Sequence, residues 1–175
     1  MYFLIDSYEA IRDFMELGGV ILSVIAVVIF VMWVLITERA VYFRTGYPGE
    51  VARAQDVWEG RPERTSWNAH MIREMLISRV AITANAGLPF IKTLVALCPL
   101  LGLLGTVTGM IEVFDVMAVS GTGNARSMAS GVSKATIPTM AGMVGALSGV
   151  FATTWLNRKA GREVELLEDH LTMDH

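Results

Sequence analysis

Charge is missing from this 175-residue chain in three long blocks: Asp, Glu, Lys and Arg are absent from Gly18 to Thr37, from Thr93 to Ile111 and from Ala135 to Asn157. A water-soluble fold could not cover so much uninterrupted apolar surface, so an ordinary globular domain is excluded. Cysteine is nearly absent as well, with Cys98 alone inside an apolar run, which rules out an intrachain disulfide framework. The three histidines, His70, His170 and His175, have no Cys or His at metal-ligand spacing, so neither a metal nor any other cofactor is expected. Glycine-rich phosphate loops and nucleophile elbows are lacking too, and the chain does not read as an enzyme. Basic residues are scarce at the start, where Asp6, Glu9 and Asp13 outnumber Arg12, so a cleavable leader is not expected. A net charge of −3 makes nucleic acid an unlikely partner.

What the chain has instead is apolar length, with 53% hydrophobic residues against the roughly 45–50% of soluble domains. At about 1.5 Å per residue each uncharged run reaches across a hydrocarbon layer of about 30 Å as a helix. The fold class is therefore an all-α membrane protein with three transmembrane helices, N-terminus out and C-terminus in, and helical extensions on the inner side. Eight Lys or Arg lie between residues 38 and 92 and three follow the third span, whereas Arg12, Arg126 and Lys134 are all that remain for the other side. This bias divides the chain into an interfacial amphipathic helix (1–17), a first span (18–37), an inner helical loop (38–92), a second span (93–111), an outer hairpin with helix ends (112–130), a third span (131–157) and an inner tail (158–175). Ser7 is a plausible N-cap for the first of these, with Ile11, Phe14 and Met15 on one face. In the inner loop Ile72, Met75, Leu76 and Val80 recur at helical spacing, as do Val164, Leu167 and Leu171 in the tail. Gly46, Pro48 and Gly49, and later Pro62, are turn signals. Trp33 with Tyr42 and Phe43, and Trp155 with Arg158, suit anchors at the inner interface with membrane lipids.

The second span carries Gly102, Gly105 and Gly109, and the third repeats the spacing with Gly142, Gly145 and Gly149. Small residues at this spacing let helix backbones pack closely in lipid, where an ordinary tight hairpin needs nothing more. Hydroxyls add a second feature. Thr106 and Thr108 lie within the second span, and Thr136, Thr139 and Ser148 within the third. Thr106 is six residues from Glu112 and Thr139 five from Lys134, so in antiparallel spans the two threonines share nearly one depth. Hydroxyls without a carboxylate suit a water-lined path or a seat for another helix, the moving charge belonging to a second chain. Pro99 and Pro138 flank this belt and suggest a bend. Glu112 and Lys134 end and begin their spans at one level, which marks them as a candidate pore-mouth pair, within or between subunits.

The runs CPLLGLLGTVTGMIEVF from Cys98 and MASGVSKATIPTMAGMVGALSGVFA from Met128 resemble the ExbB/TolQ/MotA family, and most closely its ExbB branch in short form. The resemblance implies a subunit of a motor in the bacterial inner membrane, driven by the proton-motive force. It implies a homo-oligomeric ring, a pentamer, around an ExbD-like single-span partner, energising TonB-like proteins and through them outer-membrane uptake. Thr106 and Thr139 match the family's pore-lining threonines. Lys134 stands where many members carry a glutamate, so the protonatable acid is expected on the partner. A TolQ-like envelope-integrity subunit and a self-contained ion channel are the alternatives.

The topology predicts that, in intact cells and with Cys98 replaced, a membrane-impermeant thiol reagent modifies a cysteine placed at Ser7 and spares one placed at Ser66. The opposite labelling would invert the assignment.

Overall fold

The computed structural model describes residues 2–120 and 125–171. Among them every regular element is an α-helix: α1 Tyr2–Thr45, α2 Tyr47–Glu59, α3 Trp67–Asn85, α4 Leu88–Ser120 and α5 Ala125–His170. The three uncharged runs fall inside α1, α4 and α5, and three stretches, Gly18–Thr45, Trp67–Val119 and Met128–His170, are long and apolar enough to cross a membrane. The expected all-α membrane architecture is what the chain adopts.

Several local expectations are corrected. α1 already runs from Tyr2, so Ser7 lies within it rather than at its start. Its interruption is at Gly19, with φ 62 and ψ −156, a conformation that side-chain-bearing residues avoid. The helix before Gly19 is thereby free to leave the axis of the span at Gly19, just inside the first span expected to begin at residue 18. Both prolines sit inside continuous helices, Pro99 in α4 and Pro138 in α5. Of the turn signals around residue 46 only Gly46 separates two helices; Pro48 occupies the first turn of α2, where its missing N–H costs nothing.

The helices contribute to two compact units, Met1–Trp33 with Thr93–Val150, and Val34–Lys92 with Phe151–His175. In the first, contacts between α4 and α5 pair Cys98 with Gly142, Gly102 with Thr139, Gly109 with Ala135 and Val113 with Gly131. As one number rises the other falls, which makes the two helices antiparallel.

In the second unit Phe43, Tyr47, Trp58, Leu76, Val80, Leu156, Leu167 and Leu171 are buried together with small residues such as Ala69, Ala84 and Ala160. Met75, expected among them, is 55% exposed and shares an outward stripe of α3 with Trp67 and Met71. Ser66 caps α3, its Oγ accepting from the Ala69 amide at 3.2 Å. Arg73 of α3 closes the end of α5 by donating to the carbonyls of Leu171 (2.7 Å) and Glu168 (2.8 Å), groups that lack helical partners at a C-terminus. Lys159, rather than the expected Arg158, joins the aromatic anchors, over the rings of Phe43 and Trp155 at 5.7 and 5.5 Å.

Tyr47 is 2% exposed, yet its hydroxyl has no hydrogen-bond partner among the described residues. Burial, then the charge of Glu163 and the nearby Tyr42, push its pKa from 10.0 up to about 12. The folded chain thus holds the phenol neutral where the unfolded chain ionises it, so stability falls as pH rises from about 10 to about 12 and is unaffected below. Replacing Tyr47 by Phe removes an unpaired buried hydroxyl at constant shape, with an expected gain of up to about 1 kcal/mol. Thermal unfolding of the purified protein should favour the variant, by a margin that widens above pH 10. A clearly less stable variant would mean that the hydroxyl has a partner in solution.

Candidate functional site

The glycine stripe is where the second and third spans meet. A Cβ on Gly102 would stand 2.9 Å from Thr139 Cα and 3.1 Å from the Pro138 carbonyl oxygen; one on Gly109 would stand 2.9 Å from Ala135 Cα. On Gly142 it would fall on the Cys98 carbonyl oxygen, and on Gly105 it would meet Pro138 and Ile21. Backbone therefore lies against backbone along α4 and α5. Gly145 and Gly149 serve another contact: they face Ile29 and Met32 of α1, and Gly149 also meets Val95. Four of the six stripe glycines build the hairpin and two receive α1.

These contacts also fix which side of the hairpin α1 covers. Successive residues of a helix turn by about 100°. Relative to the stripe, Thr106 of α4 and Thr139 of α5 then project to the side away from α1, whereas Thr108 and Ser148 project to the α1 side. Burial agrees, since Leu94 and Cys98 on the α1 side are covered while Pro99 and Leu103 on the other are exposed. The uncovered face carries Pro99, Leu103, Thr106 and Met110 from α4 and Val132, Thr136, Thr139 and Met143 from α5. It is apolar apart from three hydroxyls. Thr106 and Thr139 lie within about one helical turn of each other in depth, as their spacing from Glu112 and Lys134 implied.

The hydroxyl hydrogens are already committed. Thr139 Oγ1 donates across the hairpin to the Gly102 carbonyl at 2.9 Å. Thr106 Oγ1 donates within its own helix to the Leu103 carbonyl at 2.7 Å, and Thr136 to Ser133 at 2.8 Å. Thr108 and Ser148 likewise bond carbonyls of their own helices, Thr108 those of Leu104 and Gly105 and Ser148 that of Gly145. What Thr106 and Thr139 offer to a visitor is therefore oxygen lone pairs. The bond from Thr139 to α4 had no signal in the sequence beyond the Thr and Gly themselves, because it depends on a register that only the packed helices define.

Glu112 and Lys134 are both exposed, and among the described residues no ion pair joins them within the chain. By the same helical phase they lie on the α1 side, near the level of the Gly19 break. They do not share a face with Thr106 and Thr139. Among the described residues no group of three or more His, Cys, Asp or Glu is placed to hold a metal ion.

A tight transmembrane hairpin, one side closed by a third spanning helix and the other left bare around a few hydroxyls, is the architecture of a multi-pass α-helical membrane protein. A sequence model of the MotA/TolQ/ExbB proton channel family matches residues 51–169, about two thirds of the chain, and the protein belongs to that family. It is similar to a putative biopolymer transport protein, ExbB-like 1, of Synechocystis, 48% identical over 60 residues that make up 33% of this chain and 24% of the relative. It is also similar to the biopolymer transport protein exbB1 of Vibrio cholerae, 38% identical over 50% of this chain and 39% of that one. The Tol-Pal system protein TolQ of Pseudomonas aeruginosa is 28% identical over 74% of this chain and 54% of its own. The chain thus spans from about a quarter to just over half the length of these relatives. Family and spans together make it a multi-pass protein of the bacterial inner membrane.

The packing predicts a ranking of glycine substitutions. Gly142→Ala pushes a methyl onto backbone that cannot yield and should cost about 1–3 kcal/mol. Gly145→Ala meets only the flexible end of Ile29 and should cost less. Gly161→Ala, with open space around it in α5, should be neutral or gain up to about 1 kcal/mol. Thermal midpoints of the three purified variants test the order, and a Gly142→Ala protein as stable as Gly161→Ala would refute the close hairpin.

Proposed function

We propose that this chain is an ExbB-like subunit of a motor driven by the proton-motive force, forming a ring around the transmembrane helix of an ExbD-like partner and acting through a TonB-like protein on outer-membrane uptake. The observation that carries this reading is the bare face of the hairpin, apolar over most of its area and carrying Thr106 and Thr139 in its middle. An incoming helix finds there a surface matching its own apolar sides and two oxygen acceptors within about one helical turn of each other in depth.

The chemistry follows from the committed hydroxyl hydrogens. An acceptor-only oxygen stabilises a neutral carboxyl, which can donate to it, over a carboxylate, which cannot. The belt therefore favours the protonated form of an acid on the partner helix while it crosses the middle of the membrane. A carboxylate in the same place would lack donors unless water supplied them. The chain itself brings no carboxylate to this level, since Glu112 and Lys134 lie five to six residues away and on the other side. Those two residues are then read as a contact between neighbouring copies or with the segment before Gly19, outside the path itself. A TolQ-like role in the cell envelope is the second reading, favoured by the coverage of the TolQ relative; it predicts envelope leakage, not loss of uptake, on deletion.

Thr106→Val tests the reading with the least disturbance, because the two side chains have the same shape and this hydroxyl bonds only its own helix. Moving one charge through 100 mV releases about 2.3 kcal/mol, so a desolvation barrier of similar size would stall transport. The variant is expected to reach wild-type levels in the membrane, co-purify with its partner and lose energy-dependent uptake. Normal uptake would remove Thr106 from the path.

A further inference from the structure

We propose that Thr139 is a positioning residue whose hydroxyl, bonded to the Gly102 carbonyl, clamps α5 to α4 at the level of the belt and so sets the register in which Thr106 and Thr139 are presented together. In its functional consequence this rests on the reading of the bare face as the path; the clamp itself does not.

Three observations converge on it. First, Thr139 reaches across to another helix, whereas Thr106, Thr108, Thr136 and Ser148 all bond carbonyls of their own. Second, Gly102 is built to receive it. It supplies the carbonyl, and any side chain there would stand 2.9 Å from Thr139 Cα, so the 2.9 Å hydrogen bond and the bare α-carbon depend on the same close approach. Third, the bond falls where α5 has the least internal restraint. Pro138, immediately before Thr139, has no N–H to give to the Lys134 carbonyl, so the helical ladder is one bond short at that point. Pro138 itself packs on Gly105, one turn along α4 from Gly102, so the clamp and the proline form one contact patch.

The two threonines consequently differ in role although they match in chemistry. The Thr106 hydroxyl is committed within its own helix, so losing its bond to the Leu103 carbonyl would disturb no neighbouring helix. Thr139 cannot donate to anything else without releasing α4. Its oxygen is held as an acceptor for as long as the hairpin keeps its register.

Thr is intermediate between Val, which keeps its shape, and Ser, which keeps its hydroxyl, and this separates a clamp from mere filling. Hydrogen exchange across residues 98–110 and 135–146 of the purified ring would be compared for the wild type, Thr139→Val, Thr139→Ser and Thr106→Val, alongside uptake in cells. An interhelical hydroxyl bond in lipid corresponds to about a threefold change in the opening equilibrium. Thr139→Val should therefore exchange about threefold faster in both segments and lose uptake, Thr139→Ser should resemble the wild type in both, and Thr106→Val should exchange like the wild type. The clamp is overturned if Thr139→Val exchanges at the wild-type rate, or if Ser is the damaging substitution and Val the silent one. Failure of the path reading looks different: Thr106→Val would then keep its uptake while the Thr139 exchange pattern stayed as expected.

Discussion

The direct approach of two backbones, α4 on α5, is the constraint on which the membrane-embedded part of this protein depends. In lipid there is no hydrophobic force to press one apolar helix on another, so adhesion must come from contact area at short range. Gly102, Gly109 and Gly142 provide it by having nothing between their α-carbons and the opposite chain. The consequence reaches beyond adhesion. Helices this close have one register, and a fixed register determines which side chains of the second and third spans stand side by side. A pair of hydroxyls at one depth is only meaningful because the backbone contact leaves them no freedom to slide apart.

Polar groups inside such a hairpin must be satisfied by the hairpin itself, and Thr106, Thr108, Thr136, Thr139 and Ser148 each donate to a carbonyl. This economy has a chemical result. A belt that needs its hydrogens for internal bonds can accept from a visitor but not donate to it, which gives preference to a protonated acid over its anion. The same demand for satisfaction thus produces both the stability of the hairpin and the selectivity of its bare face.

Much of this was legible in the sequence because the relevant rules are local. Uncharged runs of about twenty residues announced the spans, the three-then-four glycine spacing announced the smooth faces, and counting from Glu112 and Lys134 brought Thr106 and Thr139 to within about one helical turn in depth. Features that depend on which helix lies against which were not legible. Nothing in the order of residues says that α1 covers the Thr108 and Ser148 side, that Gly145 and Gly149 receive Ile29 and Met32, or that the Thr139 hydrogen goes to Gly102. The break at Gly19 was hidden for a different reason: a glycine pair before an apolar run is equally compatible with a straight helix, and only the positive φ distinguishes them. Met75 was misplaced because helical spacing gives a stripe's existence but not which of two neighbouring stripes faces inward.

The separation of Glu112 and Lys134 from the threonine face changes how the charges of this chain should be understood. Equal depth had suggested opposite charges at the mouth of one path. Helical phase puts them on the far side of the hairpin, beside the level at which α1 breaks at Gly19. A lysine there can extend toward headgroups, and a glutamate there needs no partner in the chain, because both remain exposed. The bare face then carries hydroxyls and apolar side chains alone, and the charged residues are free to serve contacts elsewhere around the hairpin. A hairpin that keeps ionisable groups off its bare face offers whatever packs there only apolar side chains and hydroxyl oxygens, so any charge at that level has to come from elsewhere.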